Sequence, residues 1–178
     1  LEWRAKPEFS GGGELMDQGV HALDLSRWVL GDFSEVCCFL STSYWTKSDV
    51  EDNAFCMLRT KDKKIANIHV SWTQWKNLFS FELFGDDGYI VVEGLGGSYG
   101  TERAMLGKRD FTKPFSEKVV EFRGNDVSWS LEWKDFMSSI HENQDSLSLA
   151  IDGLETVKLV HALYQSASEK RVVLINND

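Results

Sequence analysis

Apolar residues recur at helical spacing in three stretches of the chain, and between the first and the second the period drops to two. Met16, Val20, Leu23 and Leu30 form a stripe that predicts a helix over residues 17–30, with Gly31 where a C-terminal cap belongs. Strand-like segments follow. Val36–Trp45 is β-branched and aromatic, Asn53–Thr60 is a second such run, and the polar turn Lys61-Asp62-Lys63-Lys64 leads into Ile65–Trp75. There Ile68, Val70 and Trp72 alternate with His69, Ser71 and Thr73, which is a strand with two different faces. Phe79, Phe81 and Leu83 keep the two-residue period up to Gly85-Asp86-Asp87-Gly88, a hairpin turn that Tyr89–Val92 leaves as the return strand. Glu117–Phe122 predicts a later strand. Trp129, Trp133, Phe136 and Ile140 then fall on one side of a second helix. Asp152-Gly153-Leu154-Glu155 resembles a capping box opening a third, with Leu154, Val157, Val160 and Tyr164 along one side, and Val172–Ile175 closes as a strand.

Runs of strands beside runs of helices predict an α+β fold. We expect an open, largely antiparallel mixed β-sheet with helices packed on one face. A sheet this rich in Trp and Phe would otherwise expose a large apolar patch, so its other face is expected to bury against a second copy in a homo-oligomer. The length, 178 residues, fits one domain. Gly94-Leu95-Gly96-Gly97-Ser98-Tyr99-Gly100 has the glycines of a phosphate cradle, but it follows a hairpin strand and precedes no helical pattern, so it reads as a sheet loop.

Composition narrows the partners. The net charge of −9 provides no basic stripe for a nucleic-acid backbone. No apolar run reaches the roughly 18 residues that cross a bilayer, and the start, LEWRAKPEF, lacks the layout of a signal peptide. It begins with Leu in mid-pattern, as if something preceded it. Cys37, Cys38 and Cys56 form no paired framework, which suggests a reducing, cytoplasmic setting with thiols serving as small core residues.

The candidate chemistry lies in GGGELMDQGVHALDLSRWVLGDF, residues 11–33. Asp17 and His21 are four apart, so on a helix the carboxylate can orient the imidazole, a group that exchanges protons near neutral pH. Asp24 could support the same ring from one turn further on, and Trp28 projects near that face. Gly11, Gly12 and Gly13 would let a ligand approach the backbone where free N–H groups gather. Spacing alone leaves open a solvated Asp–His pair beside an ordinary loop. A metal site is disfavoured, because His69, His141, His161 and the cysteines show no ligand spacing to complete one.

The stretch WRAKPEFSGGGELMDQGVHALDLSRWVLGDF resembles the start of the C-terminal domain of the glucose–fructose oxidoreductase / inositol dehydrogenase / rhizopine-catabolism (Gfo/Idh/MocA) family. EDNAFCMLRTKDKKIANIHVSW is similar to that family's central hairpin, FELFGDDGYIVVEG to the next strand pair, and DGLETVKLVHALYQSASEKRVVL to its final helix and strand. The resemblance implies an NAD- or NADP-dependent oxidoreductase whose preceding Rossmann domain, absent from this chain, holds the cofactor. This chain, 1–178, would supply the substrate pocket for a sugar, nucleotide-sugar or polyol, and would be inactive alone. His21 matches the family's general acid/base and Asp17 the carboxylate that holds substrate and imidazole, with Gly12 and Gly13 beside the substrate. Trp3 and Arg4 match a pair that lies against the cofactor. The family's catalytic Glu-Lys-Pro has no counterpart: Lys6-Pro7 follows Ala5, and Lys113-Pro114 follows Thr112. The competing expectation is a non-catalytic relative of the same fold that dimerises or binds carbohydrate.

Overall fold

The computed structural model describes residues 3–175. In chain order the elements are α1 (Pro7–Ser10), a π-helical turn (Leu15–Gly19), α2 (Val20–Leu30), β1 (Phe33–Ser41), β2 (Asn53–Thr60), β3 (Ile65–Ser71), β4 (Ser80–Phe84), β5 (Gly88–Glu93), β6 (Glu102–Lys108), β7 (Glu117–Phe122), α3 (Ser128–Glu142), α4 (Ala150–Glu169) and β8 (Val173–Leu174). They divide into two units, one running through Thr73 and resuming at Leu147, the other Gln74–Ser146.

In the first unit, strands in the order β3-β2-β1-β8 form one sheet in which every neighbouring pair is antiparallel. Along β2 the period-two pattern is literal: Ala54, Cys56 and Leu58 are buried, while Phe55, Met57 and Arg59 are exposed. The buried set joins Val36 and Cys38 of β1 and Ala66 and Ile68 of β3 against Leu23 of α2 and Leu159, Val160 and Leu163 of α4. Burial of these apolar faces is the main force holding helices to sheet. Strand β8 pairs with β1 only at Glu35 and Val36. Further along β1, Ser166 of α4 takes over: its Oγ accepts the Cys38 N–H at 3.1 Å and donates to the Arg171 carbonyl at 2.6 Å.

Helix α4 turns a different face inward from the one its apolar pattern predicts. Thr156, Leu159, Val160, Leu163 and Ser166 are buried, while Leu154 and Val157 are exposed. Two polar residues can sit on the inner face because each has partners: Thr156 Oγ1 donates to Asp24 and to the Asp152 carbonyl, both at 2.9 Å. The helix also begins at Ala150, two residues before the expected box. Asp152 is its N3 acid and accepts the Leu149 N–H at 3.0 Å, and Leu149 has no side-chain acceptor to complete the reciprocal bond.

The second unit is an antiparallel meander, β4-β5-β6-β7, followed by α3. The Gly85–Gly88 turn joins β4 to β5 as expected, closed by Gly85 N–H donating to the Gly88 carbonyl at 2.9 Å. Gly94–Gly100 is the loop between β5 and β6, and β6 itself has no counterpart among the predicted strands. The stripe of Trp129, Trp133, Phe136 and Ile140 lies on α3 and is exposed. The fold is therefore the expected α+β with open antiparallel strands, divided between two sheets rather than gathered in one.

Candidate functional site

Where a regular helix was predicted from residue 17, the chain first makes a π turn from Leu15 to Gly19, and α2 begins at Val20. A π turn closes from residue i to i+5, so Asp17 and His21 lose the stacking that a spacing of four gives on an α-helix. Gly19 fits this turn because a Cβ there would stand 3.0 Å from Leu15 Cδ1 and 3.2 Å from Val70 Cγ2.

Asp17 accordingly takes another partner. Arg4 Nε lies 3.4 Å from each of its carboxylate oxygens, and the Arg4 guanidinium sits 4.5 Å from the centre of the Trp3 ring. These three residues line a cleft of about 130 Å³, together with Ser10, Gly12, Met16 and Trp72. His21 is exposed one turn along, and its side chain has no hydrogen bond or ion pair to a described residue. Asp24 is committed to Thr156 rather than to His21, and Trp28 is exposed. Of the residues singled out from sequence, the cleft thus collects Trp3, Arg4, Gly12 and Asp17. His21 and Gly13 do not line it.

The glycine run is used by the protein itself. A Cβ on Gly12 would stand 2.0 Å from the Tyr164 hydroxyl, and one on Gly13 would stand 2.0 Å from the Glu51 carbonyl oxygen. Glu51, 8 % exposed, organises this contact. Its Oε2 accepts the Gly13 N–H at 3.1 Å, and its Oε1 accepts the Leu15 N–H at 3.0 Å and the Tyr164 O–H at 2.8 Å. Its carbonyl accepts the Glu14 N–H at 3.1 Å. The N–H groups of Gly13, Glu14 and Leu15, expected to be free for a ligand at the start of the helix, are therefore already bonded, which corrects the reading of Gly13 as a residue open to close approach. Burial first, and then the same carboxylate, push the Tyr164 phenol well above its ordinary range.

Two further carboxyls frame the site. Asp52, fully buried, accepts N–H groups from Ser43, Tyr44 and Trp45 at 2.8–2.9 Å and the Asn53 amide at 2.8 Å. Burial alone would raise its pKa, but these donors outweigh it and hold the carboxyl below its ordinary range. Glu14, 4 % exposed, is pushed the other way, to about 8, by burial first and then by the charges of Asp17 and Glu51. Glu51, Tyr164, Trp72 and Glu14 all escape a reading of the sequence for motifs. Glu51 and Tyr164 lie 38 and 151 residues from Gly13, and no local pattern links them to it.

Among the described residues no three His, Cys, Asp or Glu side chains converge as metal ligands do, and no helix is long and apolar enough to cross a membrane.

Comparison with known proteins adds identity to this geometry. Residues 1–91 match the profile of the GFO/IDH/MocA C-terminal domain. Levoglucosan dehydrogenase of Pseudarthrobacter phenanthrenivorans is 22 % identical over 212 aligned positions, covering 96 % of this chain and 53 % of its own length. A 1,5-anhydro-D-fructose reductase of Ensifer adhaerens is 30 % identical over 90 positions, covering 50 % of this chain and 27 % of its own. Among solved structures, levoglucosan dehydrogenase in complex with NADH superposes with a TM-score of 0.85 at 20 % identity, over 100 % of this chain and 54 % of that one. Aldose–aldose oxidoreductase from Caulobacter crescentus, complexed with glycerol, gives 0.80 at 20 % identity, over 97 % and 50 %. This chain spans about half the length of the relatives it matches.

Proposed function

Because the chain belongs to the GFO/IDH/MocA C-terminal domain family, we propose that it is the substrate-binding half of an NAD- or NADP-dependent oxidoreductase. Its substrate is a hydroxyl or carbonyl of a sugar, nucleotide-sugar or polyol, in keeping with relatives named for levoglucosan and 1,5-anhydro-D-fructose. A nucleotide-binding Rossmann domain outside this chain completes the enzyme, and without it the chain is inactive. The observation that carries this reading is the cleft in which Asp17, Arg4 and Trp3 meet, with the exposed His21 one turn further along the chain.

The roles follow from the side chains. Asp17 accepts a substrate hydroxyl, and Arg4 keeps its carboxylate directed along the cleft wall. His21 is the general base that takes the hydroxyl proton on oxidation and the general acid that returns it on reduction. An imidazole with no partner among the described residues is free to do so. Gly12 forms part of the cleft surface, and Gly13 seats the loop behind it through Glu51. The cofactor supplies hydride chemistry when bound. Trp3 and Arg4 suit contact with it, since an exposed aromatic face and a guanidinium can meet a planar ring and a phosphate.

A second copy of the chain covers the outer face of the first unit's sheet. Phe39, Phe55, Met57 and Ile65 are exposed there in adjacent strands, a patch unsuited to water. Three free thiols, with Cys38 Sγ and Cys56 Sγ sharing a hydrogen bond at 3.5 Å rather than a disulfide, fit the cytoplasm.

The test is His21→Ala in the full-length protein. Positioned acid–base catalysis contributes roughly 10²–10⁴-fold, so kcat for a sugar or polyol substrate is expected to fall by about that factor with little change in cofactor affinity. A kcat within threefold of the unaltered enzyme would remove His21 from the mechanism and favour a carbohydrate-binding role for the fold.

A further inference from the structure

Glu14 is a buried carboxyl that the chemistry above leaves unused. It precedes the π turn, is 4 % exposed, and its Oε2 is buried with no hydrogen-bond partner among the described residues. The Trp72 side chain and the Ser71 backbone reach this carboxyl from the end of β3. Asp17, one turn on, and Glu51, in the loop before β2, act on it as negative charges, and Tyr164 of α4 is bonded to Glu51. Among the described residues no cation is one of the groups that act on Glu14, and Arg4 is paired with Asp17. Two of the residues that act on Glu14, Asp17 and Trp72, line the cleft, while Glu14 does not.

We propose that Glu14 is a positioning residue of the cleft: its buried carboxyl backs Asp17 and, having no counter-ion of its own, leaves Asp17 as the one acid there that meets Arg4 and a substrate hydroxyl. The proposal rests on the oxidoreductase reading for its substrate and on the geometry for everything else. Burial chiefly, then the charges of Asp17 and Glu51, raise the Glu14 pKa to about 8, with Trp72 and Ser71 opposing. At neutral pH the carboxyl is therefore protonated and stands behind Asp17 without repelling it. As pH climbs past about 8, a second negative charge develops beside Asp17. Asp17 then holds Arg4 and a hydroxyl in altered geometry, so the cleft loses substrate affinity although Asp17 itself is intact.

The full-length protein allows two measurements, one independent of activity. Glu14→Gln keeps the shape of the neutral acid and cannot ionise. Its sign follows from linkage: the folded protein holds the Glu14 proton up to about pH 8, whereas the unfolded chain releases it near 4.5. Stability contributed by the protonated carboxyl is therefore complete below the unfolded value and declines until the folded one is passed. The melting temperature of Glu14→Gln relative to the unaltered protein should rise by several degrees between those limits and level off near pH 8. In the Asp17→Asn background it should level off at a lower pH, because a charge that holds the proton on Glu14 is gone. Asp17 is partly exposed, so that background tolerates the substitution. Identical levelling points, or no pH-dependent difference at all, would overturn the proposal.

The second measurement is kcat/KM from pH 6 to 10, with levoglucosan and 1,5-anhydro-D-fructose as probe substrates and both cofactors supplied. The unaltered enzyme should lose about tenfold per pH unit above pH 8, through KM more than kcat, and Glu14→Gln should lose none of this. An equal decline in both enzymes would overturn the positioning role. If neither probe turns over while the melting data show the Asp17 coupling, the carboxyl pair stands and the substrate reading fails instead.

Discussion

Replacing Glu51 tests how the glycine loop and the cleft are held. Its carboxylate accepts three hydrogen bonds inside the first unit, from Gly13 N–H, Leu15 N–H and the Tyr164 hydroxyl, at 3.1, 3.0 and 2.8 Å. A bond to a charged group contributes about 1.5–3 kcal/mol, and a buried donor left unpaired costs about 1–3 kcal/mol. Glu51→Ala strands the Leu15 N–H and the Tyr164 hydroxyl and leaves Gly13 N–H only its longer bond to the Tyr164 oxygen, at 3.2 Å. The losses are not additive, because water can follow the truncated side chain and the three bonds share one acceptor group, so the expected loss is about 3–5 kcal/mol. Glu51→Gln should cost less, about 1–3 kcal/mol. Its amide oxygen can serve Leu15 and Tyr164, which share Oε1, while its NH₂ meets the Gly13 N–H donor to donor. Urea unfolding gives the stability order, and amide hydrogen exchange reads Gly13 and Leu15 directly. Both amides should exchange faster in Glu51→Ala, and Gly13 alone in Glu51→Gln. A loss below about 1 kcal/mol for Glu51→Ala, or equal exchange at the two amides in Glu51→Gln, would refute the role of Glu51 as the group that fixes the loop.

Neighbouring contacts make further expectations testable. Gly13→Ala puts a Cβ 2.0 Å from the Glu51 carbonyl oxygen, where backbone must move, so about 1–3 kcal/mol of stability should be lost on urea unfolding. Gly12→Ala meets side chains rather than backbone, the Tyr164 hydroxyl at 2.0 Å and Met16 Cβ at 3.1 Å, and should cost less, with the Tyr164 bond to Glu51 given up. The lowered pKa of Asp52 means that its share of stability is present above the ordinary carboxylate range, near pH 4, and is lost as pH falls below it. Asp52→Asn should accordingly be less stable at pH 7 and show a flatter acid limb of melting temperature against pH. An unchanged limb would count against the four donors as the cause. Phe55→Lys with Met57→Lys, on the outer sheet face, should convert the full-length protein to a smaller species in analytical ultracentrifugation. Retention of the parental mass would place the subunit contact elsewhere.

What the sequence made legible is what local physics dictates. Strand β2 matches its predicted bounds because one of its faces is buried and the other exposed, so the chemical alternation and the burial alternation coincide. The Gly85–Gly88 hairpin follows from turn chemistry alone. Strand β6, Glu-Arg-Ala-Met-Leu-Gly-Lys, has no such alternation, because in the second unit few side chains are buried and the burial signal itself is weak. The inner face of α4 was misplaced because Thr156 and Ser166 are read as solvent-facing until their hydrogen-bond partners, Asp24 and Cys38, are known. The candidate site divides in the same way. Trp3, Arg4, Gly12 and Asp17 are close in sequence and meet in one cleft.

What holds them there is remote. The glycine run reads locally as space for a ligand, yet that space is filled by Glu51 and Tyr164, and only the folded chain brings them to it. This changes what the run implies about mechanism. A loop fixed from behind by a buried carboxylate does not move to admit substrate, so the cleft is pre-formed, and the adjustable element in the proposal above is the charge state of Glu14 behind Asp17. Preorganisation of this kind cuts the ordering cost of binding, and it makes the protonation of one hidden acid, rather than loop closure, the variable that sets how Asp17 meets a hydroxyl.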